Sequence, residues 1–109
     1  MVTVAIDERY ADLFTMLGGI QESANLAMQR YVVEQITTKI SELKGRDATY
    51  AQKYGMSYTQ FLNNLETVEF VEKVEAEISN IWEIDLADWE FCHEGVKDWT
   101  RKLQSVLLG

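Results

Sequence analysis

Ile78, Trp82, Asp85, Trp89, Cys92, Val96, Trp99, Leu103 and Val106 follow one another at alternating steps of four and three residues. That spacing aligns all of them on one seam of an α-helix, and a strand of period two cannot use it. The pattern predicts a long helix over residues 69–107, packed along its length, with Val71 and Val74 extending the apolar face backward after a slip in phase. Every seam position but Asp85 is apolar. Tryptophan at three of them is bulky for a tight two-stranded coil and suits the wider gap of a three- or four-helix bundle.

The remaining chain speaks the same language. The 109 residues contain no proline, which favours a few long helices over many turns. A second long helix is predicted over 20–54, its apolar face carried by Ala24, Ala27, Met28, Tyr31, Val32, Val33, Ile36, Ile40, Leu43, Tyr50 and Tyr54. Gly45 is a weak point near its middle, and Gly55 suits the left-handed position that closes a helix. Ser57 with Gln60 forms a capping-box pattern that opens a short helix over 57–66, with Tyr58, Phe61, Leu62 and Leu65 on one side. At the amino end, residues 1–6 form a short strand or a frayed tail. Asp7 caps a short helix carrying Tyr10, Leu13, Phe14 and Leu17, and Gly18-Gly19 interrupts it, so residues 1–19 are a helix or arm. The expected fold is all-α and one domain over 1–109. A long antiparallel hairpin with a short connecting helix would complete a four-helix bundle as a dimer.

The net charge is −8, from 18 acidic and 10 basic side chains. A field of that sign repels phosphate backbones, disfavours nucleic acid and draws in a basic protein. Lys97, Arg101 and Lys102 lie near the carboxyl end of the last helix, where they complement its dipole. No segment reaches the ~20 apolar residues of a membrane span. The amino terminus lacks the basic-then-apolar order of a secretory signal, and the single Cys92 allows no internal disulfide. These features fit a cytoplasmic protein.

No Gly-rich phosphate loop, cysteine pair or Gly-x-Ser-x-Gly is present, so no catalytic residue and no cofactor are expected. Cys92 and His93 are sequence neighbours, about 100° apart on a helix, and do not form a catalytic pair; a buried inert thiol is expected instead. Glu90 and His93 form Glu-x-x-His, the spacing of metal ligands in di-iron bundles. A metal-binding bundle, with Glu34 as a further carboxylate and a second copy supplying the duplicate motif, is a distant alternative. Asp85 needs a cationic partner such as Arg30 or Lys39, or else serves to fix register or bind a partner's arginine.

Ile81, Ile84, Leu86 and Phe91 lie off the seam and face other sides of the helix. A helix apolar nearly all round must be covered on several sides, and a two-helix hairpin covers one. Ile81, Trp82, Ile84, Asp85, Trp89 and Phe91 are therefore the expected partner-binding residues.

Two stretches, Lys53-Tyr-Gly-Met-Ser-Tyr-Thr-Gln-Phe61 and Trp82-Glu-Ile-Asp-Leu-Ala-Asp-Trp-Glu90 continuing to Trp99, together resemble small helical proteins of cyanobacteria and archaea of antitoxin type. The resemblance spans roughly residues 30–103 and implies a non-enzymatic protein that neutralises a small basic toxin. The amino-terminal segment departs from it, with no DNA-binding helix-turn-helix. A homo-oligomeric scaffold without another ligand is the alternative.

Overall fold

The computed structural model describes residues 5–108, and all regular structure among them is helical. Five helices follow in order: α1 (Glu8–Met16), α2 (Ile20–Tyr54), α3 (Tyr58–Asn64), α4 (Val68–Glu77) and α5 (Trp82–Leu108). Residues 1–4, the greater part of the strand or tail expected over 1–6, lie outside the described residues.

Local chemistry sets most of the boundaries. The Asp7 carboxylate accepts from the Arg9 backbone N–H at 3.0 Å and opens α1. Gly18 and Gly19 take φ of 130° and 114°, which side-chain-bearing residues rarely adopt, and the chain turns there into α2. α2 runs unbroken through Gly45 and closes at Gly55, whose φ is 72°. The Met56 N–H donates to the Ala51 carbonyl at that end. Ser57 and Gln60 form the reciprocal capping box in front of α3.

The expected helix over 69–107 is divided into α4 and α5. The Val74 carbonyl accepts from both Ile78 and Ser79 N–H at 2.9 Å, ending α4. The Ser79 hydroxyl then accepts from the Ile81 N–H at 3.2 Å. Serine competes with the helix for its own backbone donors, and Ser79 acts at the one point where the phase of the apolar seam slips. The break lets α4 pack independently, bringing Val74 and Phe70 onto Phe61 in the core.

The single expected domain resolves into two compact units, Met1–Gln35 and Ile36–Gly109. In the first, Ala24 is the only buried side chain among the described residues. The second holds the core. Trp89 is fully buried, with the rings of Tyr50, Tyr54, Tyr58 and Phe61 at centroid distances of 5.9, 5.7, 5.7 and 5.4 Å. Tyr54, Tyr58, Phe61 and Val74 are buried with it, and Trp82, Leu86, Leu65 and Phe70 pack around them. Within this unit α5 runs antiparallel to the later part of α2: Asp47 meets His93, Tyr50 meets Asp88 and Lys53 meets Asp85. The two helices approach closely at Gly95, where a Cβ would stand 2.9 Å from Leu43 Cδ1.

Candidate partner-binding site

α5 has two faces with different work. Its seam, from Trp82 through Asp85, Trp89, Cys92, Val96, Trp99, Leu103 and Val106, is buried or half-buried throughout. The six expected contact residues divide between that seam and the outside. Trp89 is fully buried, and its indole N–H donates to Asp47 at 2.7 Å. Asp85 is buried and accepts from Lys53 Nζ and the Tyr54 hydroxyl, each at 2.6 Å. Trp82 is half-buried against the core and donates to Glu75 at 3.0 Å. Trp89 and Asp85 are thus occupied inside the chain's own core and offer nothing to a partner. The cation facing Asp85 is Lys53, where Arg30 or Lys39 was expected.

Asp85 belongs to a ladder of three carboxylates between α2 and α5, each accepting from two donors. Asp88 takes the Arg46 guanidinium and the Tyr50 hydroxyl, the latter at 2.6 Å. Asp47 takes the Trp89 indole N–H and lies 3.0 Å from His93 Nδ1. Among the described residues no buried side-chain nitrogen or oxygen lacks a partner. The titrations follow from these bonds. Burial alone would push the Asp85 carboxyl up, but the hydrogen bonds from Lys53 and Tyr54 outweigh it and hold the carboxyl below its ordinary value. Tyr50 and then Arg46 do the same for Asp88. Tyr50, donating to Asp88 and partly desolvated, is pushed up to about 12, and burial followed by the bond to Asp85 raises Tyr54 as well.

Outside the seam, Ile81, Ile84 and Phe91 are exposed at 48%, 68% and 58%. Ile84, Ala87 and Phe91 are spaced three and four apart, so they share one stripe more than a third of a turn from the seam. A shallow groove of about 370 Å³ continues the stripe past Gly95 to Trp99 and Lys102. The Lys102 ammonium sits 4.4 Å from the Trp99 ring centre and closes that end. The Arg46 guanidinium lies 5.9 Å from the Phe91 ring, on the α2 side. Along the opposite flank run Glu83, Glu90 and Glu94, separated by seven and four residues and all exposed. Glu94 is tied to Lys97 at 3.4 Å; Glu83 and Glu90 are in no ion pair among the described residues. The result is an apolar strip edged by carboxylates.

Glu90 and His93 do not converge: Glu90 is exposed while His93 faces Asp47 and stacks on Tyr58 at 4.7 Å. Among the described residues no group of three or more His, Cys, Asp or Glu is placed to hold a metal ion. Cys92 is fully enclosed, and burial raises its thiol. No described helix is long and apolar enough to cross a membrane.

The acidic flank and the ladder were not anticipated from the residues. Both carry a signal: Glu83, Glu90 and Glu94 share one helical face, and Asp47, Tyr50 and Tyr54 recur at steps of three and four opposite Asp85 and Asp88. Comparison with family models, curated proteins and solved structures yields no match to this chain.

Proposed function

We propose that this chain is a non-enzymatic, cytoplasmic protein-interaction module whose α5 outer strip binds and neutralises a small basic protein, as an antitoxin does. The observation that carries this reading is the uncovered row of Ile84, Ala87 and Phe91 beside Glu83, Glu90 and Glu94. Burying one large apolar side chain contributes roughly 1.5–3 kcal/mol, so Ile84 and Phe91 supply anchors. The carboxylate row and the net charge of −8 supply steering toward a cationic surface and selection against an acidic one. The ladder beneath holds α5 in place, so the strip is pre-formed and binding costs little ordering.

The test is co-expression with the small basic product of an adjoining reading frame, followed by titration of the purified pair. A complex is expected that weakens with salt and is lost in Ile84→Asp and Phe91→Asp. No complex at low salt, or one indifferent to both substitutions, refutes the reading.

A further inference from the structure

We infer that the Met1–Gln35 unit is the site at which two copies of this chain pair, through an antiparallel crossing of α2 on α2 centred on Leu26. This surface is separate from the α5 strip and stands or falls independently of it.

Two observations lead there. The first is exposed apolar surface. The unit exposes nine large apolar side chains among the described residues; they lie on several sides of α1 and α2, and the ones a single crossing at Leu26 can cover are those beside the groove between the two helices, Leu17, Leu26 and Tyr31. Part of that surface lines a groove of about 400 Å³ formed by Phe14 and Leu17 with Leu26, Ala27, Arg30 and Tyr31 of α2. Leu26 and Tyr31, 58% and 63% exposed, stand in its wall. A helix laid in that groove would complete a four-helix arrangement of two α1 and two α2 segments.

The second is charge. Glu22, Leu26 and Arg30 are spaced four apart and exposed, so they form one row on α2. A two-fold axis is isologous: whatever faces residue i must be met by its mirror position. With the axis at Leu26, Glu22 of each copy meets Arg30 of the other, and leucine meets leucine between them. Among the described residues neither Glu22 nor Arg30 is in an ion pair. The same row is self-complementary for this chain and half-repulsive for a partner of uniform charge, which is why the occupant assigned is a second copy.

Sedimentation equilibrium on the full chain tests this. The parent chain should dimerise. Leu26→Asp should abolish the dimer, while Arg30→Glu and Glu22→Arg, each placing like charges together twice per interface, should each weaken it about tenfold or more. The double variant Glu22→Arg/Arg30→Glu should restore it. Tryptophan fluorescence, whose three reporters all lie in Ile36–Gly109, should be unchanged throughout and show that unit intact, and unchanged far-UV circular dichroism should show that α1 and the start of α2 remain helical. Ile84→Asp should leave the dimer intact. A chain that stays monomeric at about 100 μM, where any specific interface of useful strength is filled, overturns the inference. So does a double variant no better than the singles, which is the result expected if the groove serves a different protein or a small ligand.

Discussion

In Ile36–Gly109 the helices close on Trp89, Phe61, Leu43, Val74 and Cys92, each almost completely removed from solvent. In Met1–Gln35, α1 has a clear apolar face and the first part of α2 carries apolar residues on several sides, yet the two bury Ala24 alone among the described residues and leave Met16 and Leu17 about four-fifths and three-quarters exposed. Apolar side chains are therefore plentiful in both units and core formation is found in only one. What separates them is the supply of opposing surface. The later part of α2 has α3, α4 and α5 to pack against, plus three carboxylates that lock its register to α5. The earlier part has the nine-residue α1. A helix face without a counterpart is either a cost in solubility or a place of assembly.

The contrast is most sharply tested at its two extremes. Trp89→Ala should remove about 3–5 kcal/mol of stability, read from urea denaturation followed by far-UV circular dichroism, since the indole contacts four aromatic rings and its N–H bonds Asp47. Asp85→Asn comes next, at about 1–3 kcal/mol, because Lys53 and Tyr54 lose their shared charged acceptor.

The same ladder sets a pH window. Asp85 and Asp88 are held below their ordinary values, so the stability they contribute is in place above the carboxylate range, about pH 4, and is lost as pH falls through their lowered values. Tyr50 and Tyr54 are raised, so their contribution is complete below about pH 10 and disappears as pH climbs through the folded values, about 12 for Tyr50. Thermal melts across pH should show both limbs, and Asp85→Asn should flatten the acid one. Gly95→Ala, forcing a methyl group toward the enclosed Leu43, should destabilise by about 1 kcal/mol. Met16→Ala, on the other unit, should change the unfolding free energy from the same denaturation by less than about 0.5 kcal/mol. Comparable losses at Met16 and Trp89 would abolish the distinction between the units.

Much of this organisation is legible in the residues. The heptad seam picks out the packed face of α5 from Trp82 to Val106, and Asp7, Gly18-Gly19, Gly55 and Ser57 fix their boundaries through chemistry local to a few residues. Two features depend on who faces whom, which spacing along one helix does not contain. Asp85 pairs with Lys53 and Tyr54 because the hairpin register brings them opposite, and Trp89 is drawn inward because the aromatic rings of α2 and α3 converge on it. The Ser79 break also went against the helical pattern: apolar periodicity on both sides masks one hydroxyl that competes for the backbone. For the same reason the α5 strip is only half legible. Ile84 and Phe91 declare themselves as surplus, but that Trp82 and Trp89 turn inward, away from a partner, is settled by packing.

Cys92, enclosed beneath the crossing of α2 and α5, makes the second unit its own stopwatch. A thiol with no solvent access and a raised proton affinity is untouched by an alkylating reagent until the helices part. Its labelling rate in native buffer therefore reads the opening of the hairpin, as a rate when the reagent outpaces reclosing and as an open population when it does not, and a bound partner that clamps α5 would be seen as slower labelling.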